Sequence, residues 1–225
     1  MNASTTLFAL LALSFTFAEQ VENAPSPPVV EDATAKIWLK HMRGCLKKVF
    51  SIKAKFVQEH RAKHRAEDEK WEGVLEVRRG GRYRLTYKLP DKRLVVSDGE
   101  TIWAYDREAK TAYSSPAGET VLDDLLALLV GKETEHAVEV RFLGGSGHPD
   151  EGVAAIELVP SRNHPFLSSI VLTLEKACPA IRRILVTHHD GSVTRVTLSD
   201  IKTNVGMGKR RFMFKPPGGT RVVTP

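Results

Sequence analysis

The sequence predicts an α+β chain: one large antiparallel sheet with two or three helices, in a single domain. Three observations carry this. Between Gly73 and Asp106, apolar and polar residues alternate around two tight-turn signals, Gly80-Gly81 and Asp98-Gly99. Turns of this kind need positive φ, which glycine adopts at little cost. Gly73, Leu75 and Val77 share one face, as do Tyr83, Leu85 and Tyr87, so the meander has one greasy side. Flanking it are two stretches with apolar residues at helical spacing, one near residue 40 and one near residue 125.

In chain order, Leu7 to Phe17 is an apolar run too short to span a bilayer. With the small-residue site Thr16-Phe17-Ala18 it reads as a signal peptide, residues 1–18, cleaved near Ala18. The mature chain is therefore expected to be exported and soluble. No cysteine lies at the cleavage point, so no lipid anchor of its own is expected. Residues 19–31 (EQVENAPSPPVVE) read as a flexible N-terminal lead, and residues 32–225 as the single domain.

A first helix starts near Asp32, with Asp32 or Thr34 as the cap, since either oxygen can accept an orphan N–H. Trp38, Met42, Cys45, Leu46 and Val49 line one side of it, and Lys36, Lys40, Arg43 and Lys47 the other. Strands are expected at Ala54–His64, Glu72–Arg79, Arg82–Leu89, Arg93–Ser97, Thr101–Asp106 and Thr111–Ser114. Ser115-Pro116-Ala117-Gly118 ends that run. A second helix, Glu119 to Val130, carries the stripe Val121, Leu122, Leu125, Leu126 and Leu129, and Gly131 suits its stop. Further strands follow at Val138–Leu143, Val153–Pro160, Ser168–Leu174, Ile181–His188 and Ser192–Lys202, with a turn signal at Asp190-Gly191. The chain closes with a strand at Arg211–Phe214, a Pro/Gly turn and Val222-Val223.

The chain has 225 residues and a net charge of +6, its basic residues spread along the length rather than massed. That is the pattern of a solvated basic surface with general attraction for acidic partners or anionic headgroups. Export and the lack of an aromatic-basic platform argue against nucleic acid. Cys45 and Cys178 are the only cysteines; two independent thiols are the expectation, although export permits a bridge. Candidate catalytic groups are His188-His189-Asp190, His60 with His64, and Ser97 with Asp98. None sits in Gly-x-Ser-x-Gly, His-Glu-x-x-His or Cys-x-x-Cys, so neither an enzyme nor a metal site is expected.

Five blocks resemble a known family. Phe56-Val57-Gln58 follows Lys53-Ala54-Lys55 after the first helix. Gly73-Val74-Leu75-Glu76-Val77-Arg78-Arg79 is a glycine-led strand ending in a basic residue. Tyr83-Arg84-Leu85-Thr86-Tyr87 with Pro90 forms the third block, and the stretch from Val95 through Ser97-Asp98-Gly99 to Asp106 the fourth and most specific. Phe212-Met213-Phe214-Lys215-Pro216-Pro217-Gly218-Gly219-Thr220 closes the series. Together, from Asp32 to Val223, they resemble the periplasmic outer-membrane lipoprotein carriers of the LolA type.

The resemblance implies an incomplete antiparallel β-barrel, or half-barrel, whose apolar concave face is covered by lid helices. Its cavity would shelter the acyl chains of lipoproteins moving from the inner to the outer membrane. Leu75, Val77, Tyr83, Leu85 and Tyr87 are then candidates for the floor. Trp38, Met42, Val121, Leu122, Leu125 and Leu126 are candidates for the lid's inner side. Arg79 corresponds to a basic residue that holds the lid shut through backbone carbonyls, a task suited to a planar fork of donors. The family usually has proline after that residue, where this chain has Gly80. The implied partners are acylated lipoproteins, an inner-membrane ABC-type release complex, and an outer-membrane receptor or the membrane itself. A monomer without cofactor is implied. The alternative is a related half-barrel lipid-binding module, either an envelope-stress sensor or a carrier of another lipid.

Overall fold

The computed structural model describes residues 32–224 apart from 64–66, 118–137, 161–166 and 179. The expected second helix, with Val121, Leu122, Leu125 and Leu126, and His64 lie outside the described residues. The first helix, α1, spans Ala33–Lys47. Twelve strands follow: β1 (Ser51–Arg61), β2 (Glu69–Arg78), β3 (Arg82–Leu89), β4 (Arg93–Asp98), β5 (Thr101–Asp106), β6 (Thr111–Pro116), β7 (Val138–Gly145), β8 (Val153–Pro160), β9 (Leu167–Glu175), β10 (Ile181–His188), β11 (Val193–Thr203) and β12 (Arg221–Val223). They form one sheet in the order β12-β6-β5-β4-β3-β2-β1-β11-β10-β9-β8-β7. The sheet does not close on itself: it is an incomplete barrel, antiparallel throughout except where β12 runs parallel to β6.

The strand expectations hold to within a few residues, but three turns differ in detail. Arg78 pairs with Arg82, so the β2–β3 hairpin has a three-residue loop, Arg79-Gly80-Gly81, and not a two-residue Gly-Gly turn. Both glycines take positive φ, 87° and 69°. Between β4 and β5 the turn is Gly99-Glu100, one residue later than expected. There Asp98 Oδ1 accepts from the amides of Glu100 and Thr101, which pulls the aspartate into the strand end. The β10–β11 loop is His189-Asp190-Gly191, closed by the His188 amide donating to the Ser192 carbonyl. His189 is thus a turn residue, not the opposite face of a strand.

The expected strand at Arg211–Phe214 is instead a 3-10 turn, Lys209–Phe212. After β11 the chain crosses the outer face of the sheet as a strap. Arg78 Nη1 donates to the Met207 carbonyl at 2.6 Å, and Arg211 pairs with the buried Glu76 at 2.7 Å. Phe212 is buried there, and Phe214 sits 5.6 and 5.4 Å from the rings of Trp103 and Tyr105. The strap explains β4, where Arg93 through Ser97 are buried without alternation. Leu94 and Val96 face the strap and Val95 the opposite side.

Asp32 is the α1 cap. Its Oδ1 accepts from the amides of Thr34 at 2.9 Å and Ala35 at 3.2 Å, and its Oδ2 from the Phe142 amide of β7 at 2.8 Å. These backbone donors, Phe142 foremost, hold its carboxyl below the usual range. A carboxylate whose folded pKa is depressed stabilises above its unfolded value and loses that effect as pH falls through the folded one. Asp32→Ala should therefore lower the melting temperature at neutral pH. The gap from the parent should close as pH drops below about 4, the unfolded carboxylate value. Thermal melts by circular dichroism at stepped pH check this; a gap independent of pH would contradict it.

Candidate functional site

The inner face of the sheet, against which α1 lies, is built in rows by strand register. Ala54, Leu75, Leu85, Val95 and Ala104 stand side by side across β1 to β5. A second row, Ile52, Val77, Tyr83, Ser97 and Ile102, runs next to it. A third contains Phe56, Gly73 and Tyr87. The five residues expected at the floor, Leu75, Val77, Tyr83, Leu85 and Tyr87, are all on this face and no more than 6% exposed. Gly73 is needed in its row. A Cβ there would lie 2.7 Å from the Phe56 ring and against the Thr86 carbonyl, and the ring uses that space to meet Tyr87 edge-on at 5.1 Å. Across the sheet Val196, Ile184, Leu172, Ile156 and Phe142 continue the apolar surface.

Helix α1 covers one end of this face. Trp38 and Met42, the two lid candidates within the described residues, are buried in the same cluster as the floor. Anchors along its length hold the helix, these four among them. At its start Asp32 takes the Phe142 amide of β7. In its middle the Trp38 indole donates to the Ser146 carbonyl in the β7–β8 turn at 2.8 Å. Near its end Cys45 is bonded to Cys178 in the β9–β10 turn, with Cα atoms 5.3 Å apart. At its end Arg79 Nη2 donates to the carbonyls of Leu46 at 3.1 Å and Lys47 at 2.6 Å. The last carbonyls of a helix lack intrahelical partners and carry its negative partial charge, so a guanidinium suits them twice over.

The disulfide corrects the expectation of two independent thiols. One cysteine lies on a helix and the other in a turn 133 residues later, and only the folded sheet brings them together.

At the other end the inner face turns polar. Gln58 Oε1 accepts from the Tyr87 hydroxyl at 3.0 Å, and burial pushes that hydroxyl's pKa up. His60 Nδ1 and His188 Nε2 lie 3.0 and 3.4 Å from Thr194 Oγ1. Asp190, a catalytic candidate by composition, accepts from the Ser192 hydroxyl and amide, and these bonds, the hydroxyl first, lower its pKa. It shapes the turn. Ser97 and Asp98 likewise accept turn amides. Among the described residues no group of three His, Cys, Asp or Glu side chains could hold a metal.

Sequence reasoning missed Arg93 and Trp71, both buried on the inner face at this end. The signal was present: Arg93 keeps the alternation of Val95 and Ser97, and Trp71 that of Gly73 and Leu75.

The family model of the outer membrane lipoprotein carrier protein LolA matches residues 47–215, most of the chain. The chain belongs to the LolA family. The outer-membrane lipoprotein carrier protein of Methylococcus capsulatus is 24% identical over 99% of this chain and 98% of its own. That of Chromobacterium violaceum is 28% identical over 69% of this chain and 73% of its own. Among solved structures, an uncharacterized conserved protein from Thermus thermophilus superposes with a TM-score of 0.54 at 14% identity, over 85% of this chain and 99% of its own. That last likeness speaks for the fold only. Within the LolA family frame, the floor and α1 occupy one continuous apolar cluster.

Breaking the Cys45–Cys178 bond should be costly. In the chain-entropy account, a loop of that length corresponds to about 4–5 kcal/mol. Cys45→Ser should therefore melt well below the parent, and dithiothreitol should lower the parent's melting temperature but not the variant's. Identical melting of oxidised and reduced parent would remove the staple from the account.

Proposed function

We propose that the protein is a lipoprotein carrier of the LolA type, working in the periplasm and sheltering acyl chains between the sheet's inner face and its helical cover. The observation that carries this is the unclosed apolar face with α1 anchored over it, in a chain of the carrier family. A sheet face of this kind exposed to water would drive aggregation. The hydrocarbon of an acylated lipoprotein faces the same problem, and each buried CH₂ contributes about 0.8 kcal/mol. A long acyl chain thus contributes on the order of 10 kcal/mol by that increment. Carrying is a binding function, and the reading needs no catalytic step.

Release and loading require a cover that is only modestly favourable when closed. The two bonds from Arg79 suit that scale. Hydrogen bonds from a charged group contribute about 1.5–3 kcal/mol each, and the exposure of Arg79 sets them at the lower end. In this reading Arg79 is the latch. The disulfide holds the same end of α1 covalently, so opening pivots there. Turning about that bond parts the bonds of Asp32 and Trp38, and releasing the Arg79 bonds beside the pivot frees the helix to turn. The cargo arrives from an inner-membrane ABC-type release complex and leaves to an outer-membrane receptor or directly to the membrane.

Two experiments test the reading. The protein purified from a periplasm in which a known lipoprotein is co-expressed should carry acylated protein, identified by intact-mass and lipid analysis. Recovery of only a different lipid would favour a related lipid-binding module, and recovery of no lipid would sink the carrier reading. Arg79→Leu should open more readily and accumulate as a loaded carrier with slower transfer to outer-membrane vesicles. The defect should deepen in a Cys45→Ser background, where that end of α1 has lost its covalent hold and keeps only hydrogen bonds, those of Arg79 among them. Transfer at parental rates in both backgrounds would remove Arg79 from the mechanism.

A further inference from the structure

The polar end of the inner face holds a side chain that the carrier reading has not used. Arg93 opens β4 at the row beyond Val95 and is paired in register with Asp106 of β5. Its side chain is 6% exposed. Nη2 donates to Asp91 Oδ2 at 2.6 Å, and Nε lies 3.7 Å from Asp106 Oδ2, beyond hydrogen-bond range. Nε and Nη1 have no hydrogen-bond partner among the described residues. Asp106 cannot turn freely to supply one, because its Oδ1 is held by the amides of Glu108 and Ala109 at 2.9 Å. Two strands away on the same face, the Trp71 indole N–H is also buried, with no hydrogen-bond partner among the described residues.

Leaving buried donors unmade costs stability, and the more so for a charged group. Such groups call for a partner from outside the chain, whether an ordered water, an ion or a ligand. Here all three orphan atoms are donors, so whatever satisfies them must be an acceptor. Charge decides which kind. Asp91 and Asp106 already offset the guanidinium, so an added anion would meet an excess of carboxylate. A neutral carbonyl would complete the donor set without disturbing that balance.

We propose that Arg93 is the binding point for the ester or amide carbonyls at the head of the cargo's acyl chains, with Trp71 donating to the same head region. This rests on the acyl-carrier reading and adds an orientation to it. The hydrocarbon lies along the apolar rows toward α1. The head lies toward the polar end, with Gln58, His60 and His188. The cargo's polypeptide then leaves past the β3–β4 turn, opposite the Arg79 latch.

The test compares two lipids that differ only in their carbonyls: dipalmitoylglycerol and its diether, dihexadecylglycerol. Each displaces a fluorescent fatty-acid probe from the mature protein. The parent should bind the diester about tenfold more tightly than the diether, the ratio expected for one hydrogen bond from a charged donor. Arg93→Lys keeps the charge beside Asp91 and Asp106 but loses Nη1, and should bring the ratio down to the small factor that Trp71 supplies, with diether affinity unchanged. Trp71→Phe, which removes a single N–H, should reduce the ratio by a smaller factor. Circular dichroism melts verify that both variants fold. Equal affinity of the parent for the two lipids overturns the proposal while leaving the carrier reading intact, as does an undiminished ratio in a folded Arg93→Lys. Tighter binding of dipalmitoyl phosphatidate, lost in Arg93→Lys, would replace the carbonyl site by an anion site and also overturn it. Binding of neither neutral lipid would overturn the carrier reading and this inference with it.

Discussion

An apolar sheet face that does not close on itself must be covered in water, and the anchoring of α1 over it is the constraint on which this molecule depends. Burial of Trp38 and Met42 against the floor supplies the attraction, but burial alone has no direction. Direction comes from polar and covalent anchors, chiefly those at Asp32, Trp38, Cys45 and Arg79. The first three tie the helix to the β7–β10 half of the sheet and the last to the β2–β3 hairpin. The helix therefore bridges two parts of the sheet that are far apart in strand order.

The same economy governs the sheet's edges and back. An open sheet has two edge strands with unpaired backbone groups, which invite pairing with another chain. One edge, β12, is three residues long. The other, β7, has its Phe142 amide taken by Asp32 and an ion pair between Glu139 and Arg141 on its surface. The strap from Asn204 onward buries the outer side of β4 and delivers the chain to β6, where it pairs in parallel because it arrives from across the sheet. Arg211 reaches from the strap to Glu76, whose burial is tolerable because Lys53 also lies 3.4 Å away.

The inner face is therefore asymmetric along its strands. At the α1 end it is apolar and closed by a helix. At the far end it holds Gln58, His60, Tyr87, Arg93 and His188. The proposed orientation of the cargo, tail along the apolar rows and head at the donors, follows that gradient.

Most of the strands, the first helix and the placing of five apolar residues on one buried face were legible in the sequence, because strand alternation and helical periodicity are local properties that one greasy face imposes on the chain. The stretch Leu75, Val77, Tyr83, Leu85, Tyr87 states its face without reference to anything distant. Turn detail was less legible: Gly80-Gly81 marked the hairpin, but the pairing of Arg78 with Arg82 set its length. The rest depended on residues remote in sequence. The Cys45–Cys178 bond, the Asp32–Phe142 bond and the contact of Arg79 with Leu46 and Lys47 join segments that only the folded sheet makes neighbours. Arg93 read as one more basic residue in a basic chain. Its meaning changed when the register placed it on the inner face with buried donors, since burial and partnership belong to the tertiary structure and not to any residue alone.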